Sequence, residues 1–197
     1  MDYDFFALVG RMRYIQRWSL MRNSAPENVQ EHSHMTAVIA HALGLIRRDV
    51  FGEECDANEL AAIALFHDAT EILTGDLPTP IKYHGRKLRS AYAEVEELAA
   101  ERLLSSLPDK LRGSYDLLLT AERDEKRYEL VRAADKLSAY IKCIEERKAG
   151  NLEFLKAEET TRGKLLACGV PEVRYFMENF IPAFEKSLDE LETLEER

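Results

Sequence analysis

Apolar residues recur along this chain at intervals of three and four, and almost no stretch alternates between apolar and polar positions. Intervals of three and four are typical of amphipathic helices, whereas alternation indicates strands. The pattern therefore predicts an all-α fold. The predicted helices cover about 3–16, a stretch after Asn28, a stretch after Asp56, 87–106, a short one after Pro108, 124–149 and two more, the last from about Pro171. No repeat, low-complexity tract or linker interrupts the pattern, so we expect one domain over residues 1–197.

Local signals predict where two of these helices begin and where one region leaves the helix. Asn28 precedes Glu31 by three residues, and Asp56 precedes Glu59 by the same spacing. Both arrangements are typical of a helix N-terminus. The segment Thr74–Pro80 contains one glycine and two prolines, which a helix interior does not accommodate. We therefore predict a rigid loop over this segment.

Composition limits the classes of partner. The formal net charge of −9 and the isoelectric point near 5.2 argue against a nucleic-acid polymer, because neutralising its phosphates requires clustered Lys and Arg. A small anionic substrate is compatible with this charge, since a metal ion and one or two arginines can create a local positive pocket. The hydrophobic fraction of 46% is sufficient for a sizeable core.

The cysteines and the first residues predict the compartment. Cys55, Cys143 and Cys168 are odd in number, far apart and outside any Cys-x-x-Cys motif, so they indicate neither a disulfide framework nor a zinc knuckle. The first residues are acidic where a secretory signal would be basic, and no apolar run approaches the ~20 residues that span a bilayer. We expect reduced thiols, no membrane association and a cytoplasmic protein.

The adjacent pair His67-Asp68 is the most informative chemical signal, because it offers one nitrogen and one oxygen donor from a single turn of backbone. His32 lies on the apolar stripe of its predicted helix, and small or apolar residues flank Asp135 at one-turn spacing, so both are predicted to point inward. A lone inward histidine is more often a hydrogen-bonded core residue than a ligand. A buried carboxylate without a partner, however, costs several kcal/mol. One shared divalent cation such as Mn, Co, Fe or Zn explains all four groups together.

The other histidines do not extend this ligand set. At ~100° per residue along a helix, His34 and His41 lie about 180–200° from His32, so neither is expected to reach the same point. Nothing in the sequence supports His84 as a ligand. The sequence therefore favours one metal ion with four protein ligands.

The order His32, His67-Asp68 and Asp135 on predicted helices resembles the HD-domain metal-dependent phosphohydrolase superfamily, over residues 17 to about 149. Further motifs resemble its bacterial 5′-deoxynucleotidase branch, namely Gln16-Arg17-Trp18, Leu20-Met21-Arg22-Asn23, Glu31-His32-Ser33, His67-Asp68-x-x-Glu71 and Leu73-Thr74-Gly75-Asp76-Leu77-Pro78-Thr79-Pro80. The resemblance implies an HD-type helical bundle with the metal site between helices. It also implies a homodimer that hydrolyses deoxyribonucleoside 5′-monophosphates to deoxyribonucleosides and phosphate by attack of a metal-activated water.

Roles within such a site follow from charge and spacing. Because Asp68 and Asp135 already neutralise a divalent ion, the substrate phosphate needs another cation, and the planar guanidinium of Arg17 suits it. Glu71 follows His67 by four residues, which on a helical turn places it near the site. We predict Glu71 and Asp68 as catalytic residues, with Glu71 handling a proton or, alternatively, orienting a ligand through a hydrogen bond.

Two further roles rest on the resemblance alone. It implies that Trp18 lies against the sugar and disfavours a 2′-hydroxyl, and that Asp76 accepts a hydrogen bond from the 3′-hydroxyl. Without the resemblance, Trp18 would be a core residue and Asp76 a turn residue. The final ~45 residues are expected to contribute only packing.

Two alternative functions remain at this point. A triphosphohydrolase or alarmone hydrolase of the same superfamily should carry more Lys and Arg around the pocket than the Arg17–Arg22 region offers. A non-enzymatic acidic helical scaffold would leave the four predicted ligands far apart in space. The physiological metal and the base preference are not predicted.

Overall fold

A computed structural model describes residues 2–78, 85–121 and 124–191. Its α-helices are, in chain order, α1 (Phe5–Val9), α2 (Val29–Leu45), α3 (Ala57–Phe66), α4 (Glu71–Thr74), α5 (Gly85–Ser105), α6 (Asp109–Leu119), α7 (Glu125–Lys148), α8 (Leu155–Ala167), α9 (Pro171–Asn179) and α10 (Leu188–Leu191). Short 3-10 helices cover Gly10–Tyr14, Leu152–Phe154 and Ile181–Glu185, and one π-helical turn covers Ile46–Val50. The all-α prediction is confirmed, since the described residues contain no strand beyond an isolated bridge between Gln16 and Asn28.

Both predicted helix starts form as expected. The Asn28 side chain accepts a hydrogen bond from the Glu31 backbone N–H at 3.0 Å, and the Glu31 carboxylate accepts one from the Asn28 N–H at 3.2 Å. Asp56 accepts from the N–H groups of Asn58 and Glu59, each at 3.0 Å. Such caps satisfy N–H groups that have no partner inside the helix. They fix the first residues of α2 and α3. The start of each helix in turn sets the direction in which each later side chain of that helix points.

The prediction of a single helix from residue 3 to Gln16 is wrong. After α1 the backbone tightens into the 3-10 turn Gly10–Tyr14, and Ile15 is already extended. The glycine at the start of that turn is a poor α-helix former. Beyond it, the Arg17 N–H donates to the carbonyl of Glu27 at 2.9 Å, which pairs the two sides of a long loop. This pairing gives Arg17 a fixed backbone position.

The predicted loop over Thr74–Pro80 is described only in part. Thr74 is the last residue of α4, so the loop begins one residue later than predicted. Gly75 adopts a φ of +73°, and 75–78 have no regular secondary structure. Thr79, Pro80 and His84 lie outside the described residues.

The core brings together the helices that carry the predicted ligands. Side chains of α2, α3 and α7 form one apolar cluster that includes Leu43, Ile63 and Leu137. The helices α2 and α3 approach closely at Gly44, where an added Cβ would lie 2.8 Å from the Cα of Ala57. Close packing of this kind leaves little freedom for one helix to slide on another. The start of α2, the end of α3 and the middle of α7 therefore meet in a fixed arrangement. None of the helices in the described ranges is both long and apolar enough to span a membrane.

Candidate active site

The structure brings His32 from α2, His67 from the end of α3 and Asp135 from α7 to one point. One donor atom from each lies within 4.8 Å of the other two, a spacing that could hold a metal ion. His32 Nε2 and Asp135 Oδ1 are 3.0 Å apart, and the two imidazole centroids are 5.3 Å apart. Three residues that span 103 positions of the chain, from His32 to Asp135, thus share a single polar centre.

His67 contributes a ring nitrogen that no protein group satisfies. Its Nδ1 donates to the carbonyl oxygen of Ala64 at 2.7 Å, so the proton of a neutral ring is on Nδ1 and the lone pair is on Nε2. The side chain is only 3% exposed, and its nearest polar neighbour at Nε2 is Asp68 Oδ2 at 3.1 Å. Both atoms are acceptors when the ring proton is on Nδ1, so Nε2 makes no hydrogen bond among the described residues. A ring oriented by a backbone carbonyl, with its other nitrogen free, is the usual state of a metal-binding histidine. The donor set therefore fits a divalent cation.

His32 is oriented in the same way from its other side. Its Nδ1 lies 3.1 Å from the hydroxyl oxygen of Ser138, one turn after Asp135 on α7. The ring is fully buried, and burial, together with the nearby Arg17 guanidinium, lowers the pKa of His32. A neutral imidazole is the form that binds metals. Ser138 is one of the small residues that flank Asp135 at one-turn spacing, and this spacing of three residues from a predicted ligand is the signal in the sequence for its orienting role.

Asp68 connects this centre to Arg17. Its Oδ2 is 3.1 Å from His67 Nε2 and 3.7 Å from His32 Nε2, and it accepts a hydrogen bond from Arg17 Nη1 at 3.2 Å. Burial alone would raise the pKa of Asp68, but the neighbouring His67, His32 and Arg17 outweigh burial and hold it far below its usual range. The same balance, with His32 as the main partner, lowers the pKa of Asp135. Both carboxylates are therefore ionised.

The charge distribution of the centre favours a bound cation. Burial opposes protonation of His67, yet the two nearby carboxylates, Asp68 first, raise its pKa, so this position attracts positive charge. Asp135 is 38% exposed and opens the centre to solvent, whereas Asp68 is 19% exposed. An ionised pair of carboxylates beside two inward imidazoles matches the mixed nitrogen and oxygen set of borderline divalent ions.

A pocket of about 400 Å³ adjoins the centre and contains three of the residues predicted to contact substrate: Arg17, Trp18 and Asp76. Its remaining wall includes Leu20, Met21, Pro78, Ala139 and the α8 residues Lys156, Ala157, Thr160, Thr161 and Lys164. The expectation that the final ~45 residues only pack is therefore wrong, because α8 forms one side of the pocket. The small and polar residues recur along one face of α8, which is the signal that sequence analysis did not use.

Trp18 has an unusual backbone conformation. Its φ of +57° lies in the left-handed region, which bulky residues rarely occupy. The indole N–H donates to Glu27 Oε2 at 3.0 Å, and the ring packs on Phe154 with centroids 5.2 Å apart. Glu27 also lies 3.2 Å from Arg17 Nε. Residues held in sparsely populated conformations cluster at ligand sites, where the surroundings impose the conformation.

Glu71 is not on the same helical turn as His67, although the spacing of four residues predicted that it would be. Residues 67–70 form turns instead of continuing α3, so the helical spacing from His67 does not apply. Glu71 begins α4, is 6% exposed, and its N–H donates to the carbonyl of Asp68 at 3.0 Å. The turn thus keeps Glu71 buried and directly after the predicted metal ligands.

Comparisons with known proteins agree with this arrangement. A family model described as 5′-deoxynucleotidase YfbR-like matches residues 4–184. The 5′-deoxynucleotidase of Shewanella oneidensis is 44% identical over 187 residues, 94% of this chain and 96% of that protein. A 5′-deoxynucleotidase of Yersinia pseudotuberculosis is 44% identical over 188 residues, 95% of each chain.

Solved structures show the same fold. An HD-domain phosphohydrolase from Listeria innocua superposes with a TM-score of 0.80 at 25% identity, covering 92% of this chain and 88% of that one. The cyanophage S-2L HD phosphohydrolase DatZ, solved with dA and one catalytic zinc ion, has a TM-score of 0.57 at 19% identity and covers 92% of this chain and 96% of that one. By sequence and by fold, the chain belongs to the 5′-deoxynucleotidase YfbR-like family of HD-domain phosphohydrolases.

Proposed function

We propose that this protein removes the phosphate from deoxyribonucleoside 5′-monophosphates, with one divalent cation held by His32, His67, Asp68 and Asp135. Nε2 of His67 is the observation that carries the proposal: this buried, oriented acceptor nitrogen has no hydrogen-bond donor among the described residues and faces the ionised Asp68 at 3.1 Å, with the ionised Asp135 beside it. A scaffold protein would have no need for this convergence of the ligands. Co, Mn, Zn and Fe all suit the donor set.

Arg17 is placed to bind the substrate phosphate. A cation bound to these ligands supplies an acidified water and a polarised phosphoryl oxygen. The guanidinium of Arg17 is 13% exposed, lines the pocket and is held between Asp68 and Glu27. Two carboxylates on one guanidinium fix its plane, so its remaining N–H groups are oriented before the phosphate arrives.

Glu71 and Asp68 complete the proposed catalytic residues. Asp68 lies between Arg17 and the two imidazoles, so its carboxylate couples the phosphate-binding group to the metal ligands. We assign Glu71 to proton transfer with the attacking water or the leaving oxygen. The alternative role, orienting a ligand by a hydrogen bond, predicts that Glu71→Gln loses metal as well as activity. Under our assignment Glu71→Gln binds metal normally and loses about 10²–10⁴-fold in rate.

Trp18 and Asp76 form the proposed sugar site. Both line the pocket next to Arg17. An indole held against the sugar leaves a 2′-hydroxyl without room or hydrogen-bond partners, which disfavours ribonucleotides. Asp76 is the acceptor proposed for the 3′-hydroxyl.

The wider proposal concerns assembly and location. We infer a homodimer, supported by the exposed Leu88, Val95 and Leu98 on one side of α5. Light scattering coupled to gel filtration measures this directly. We treat residues 1–197 as one domain. A cytoplasmic location is supported by the three free cysteines, which form no disulfide.

The testing experiment measures phosphate release from matched deoxyribo- and ribonucleoside 5′-monophosphates. Metal-stripped protein is assayed alone and after addition of Mn, Co, Zn, Fe or Mg. We expect release only with a suitable ion and a strong preference for the deoxy series. Equal rates on the two series would refute the role of Trp18. Absence of release with every ion, combined with turnover of nucleoside triphosphates or alarmones, would favour the alternative HD-type hydrolases.

A further inference from the structure

A second buried polar cluster lies near the C-terminal end of α7 and just beyond it, and the proposed reaction does not use it. It consists of Lys142, Glu146 and Asn151, which we call the anchoring cluster. These side chains are 4%, 1% and 7% exposed. Lys142 Nζ donates to Glu146 Oε1, and Asn151 Nδ2 donates to Glu146 Oε2 at 2.7 Å. Burying a charged pair costs desolvation energy that an apolar pair would not, so packing alone does not explain this cluster.

The anchoring cluster binds the backbone of the loop that follows Trp18. Glu146 accepts hydrogen bonds from the N–H groups of Ser24 and Ala25 at 2.8 and 3.2 Å. Asn151 donates to the carbonyl of Arg22 at 2.6 Å, and Lys142 donates to the carbonyl of Ala25. Four backbone groups of one loop are thus held by three buried side chains.

This loop has no apolar anchor of its own. Every residue from 19 to 26 is at least partly exposed. A loop without buried side chains is held mainly by hydrogen bonds to its backbone. The connection to Trp18 is direct, because the Trp18 carbonyl accepts from the Met21 N–H at 2.8 Å and from Asn23 Nδ2 at 3.4 Å. Loss of the anchoring bonds would therefore free the residues that enforce the left-handed conformation of Trp18.

The indole ring is connected to the cluster by a second path. Phe154, which is fully buried, packs on the Trp18 ring, and Lys142 Nζ lies 5.8 Å from the centroid of Phe154. Phe154 also belongs to the 3-10 turn that starts just after Asn151. The cluster thus supports both the backbone of Trp18 and the ring behind its indole.

We propose that Lys142, Glu146 and Asn151 are positioning residues that hold Trp18 in its strained conformation and thereby set the discrimination between deoxyribo- and ribonucleotides. The part concerning Trp18 stands on the contacts alone, and the part concerning specificity rests on the proposed function. None of the three residues lines the substrate pocket. They act on substrate only through the loop and Trp18.

The test uses Trp18 as its own reporter, since it is the only tryptophan of the chain. The full-length variants Glu146→Gln and Lys142→Met/Glu146→Leu are compared with the wild type. The double variant removes both charges, so neither charge stays buried without its counter-ion, and we expect it to fold even where the single variant does not. The N–H groups of Ser24 and Ala25 that lose Glu146 belong to exposed residues, which water can reach. Tryptophan emission and acrylamide quenching measure the position of the indole without substrate or metal. The ratio of kcat/KM for matched deoxyribo- and ribonucleotides measures specificity.

We expect red-shifted emission and stronger quenching in both variants, and a fall of at least about tenfold in the deoxy-to-ribo ratio. The control is Glu172→Gln, which removes another buried, ion-paired glutamate, 1% exposed and 2.6 Å from Arg47, away from the Trp18 loop. It should change neither readout. Unchanged emission and quenching in folded variants would overturn the positioning role. A wild-type enzyme without deoxy preference would refute the proposed function instead. The fluorescence would still test whether the anchoring cluster holds Trp18 in position.

Discussion

The helix α7 carries two buried charged clusters of opposite character. Near its middle, Asp135 faces His32 and His67, and one imidazole nitrogen is left without a hydrogen bond. About three turns later, both carboxylate oxygens of Glu146 are fully occupied by Lys142, Asn151 and two backbone N–H groups. The first cluster has room among its donor atoms for the proposed cation, and the second is complete by itself.

This difference distinguishes a reactive centre from a structural one. A buried polar network that is fully satisfied makes the structure rigid, whereas a partly satisfied one costs free energy unless a ligand completes it. Removing part of the incomplete cluster should therefore abolish function with little loss of stability. Removing part of the complete cluster should instead lower the free energy of unfolding substantially.

The largest effect is expected at the incomplete cluster. His67→Ala removes the free nitrogen, so metal binding and phosphate release should both fall to background, a loss of at least about 10³-fold in kcat/KM. Metal content after dialysis and phosphate release are the measurements. The metal-free variant should unfold within about 1 kcal/mol of the metal-free wild type, because His67 contributes few satisfied interactions there. A loss of several kcal/mol would show that the incomplete cluster also stabilises the fold.

The second effect concerns stability at the complete cluster. Glu146→Gln leaves the buried ammonium of Lys142 without its counter-ion, and removing one partner of a buried ion pair costs about 3–5 kcal/mol. Urea unfolding of metal-free protein measures the difference in unfolding free energy. Metal affinity should be unchanged, because the cluster contacts none of the proposed ligands. Weakened metal binding in this variant would show that the two clusters are not independent.

A smaller effect, on metal affinity, is expected at Ser138 of α7, which orients a proposed metal ligand and is not itself a ligand. Ser138→Ala removes the hydroxyl beside His32 Nδ1, and losing such an orienting partner lowers metal affinity by about 10–100-fold. Titration with Co(II), followed by its visible absorption, measures this affinity. The matched control is Ser33→Ala, since the Ser33 hydroxyl is also buried but has no hydrogen bond in the described structure. Equal affinities for the two variants would remove the orienting role.

The smallest effect is a dependence of stability on pH. Burial opposes ionisation of Glu146, but Lys142, Asn151 and the loop N–H groups lower its pKa from 4.5 to about 2. A lowered pKa in the folded state stabilises the protein fully above pH 4.5 and progressively less as the pH falls from 4.5 towards 2. The difference in unfolding free energy between wild type and Glu146→Gln should therefore shrink between pH 5.5 and 3.5. A constant difference over this range would contradict the lowered pKa.

The fold class and two helix starts follow from the sequence alone, because the local signals agree with the fold. The three-and-four spacing of apolar residues was enough for the all-α class, and Asn28 and Asp56 were enough for two helix starts, because a cap acts within three residues of itself. The adjacent His67-Asp68 pair and the inward positions of His32 and Asp135 indicated one ligand set before any resemblance was considered, and helical geometry placed His34 away from it, where it is exposed.

The way in which distant segments meet depends on packing in three dimensions. The acceptor state of His67 Nε2 depends on a backbone carbonyl one turn earlier, to which Nδ1 donates. The pocket wall formed by α8 and the hydrogen bonds from the Trp18 loop to Glu146 bring together positions up to about 145 residues apart. Periodicity reports which face of a helix is buried, not which side chain or backbone group it meets. The backbone conformation of Trp18 and the turn before Glu71 likewise result from packing that overrides local preference. The sequence therefore predicted that these residues belong to the site, but not the conformations in which they lie there.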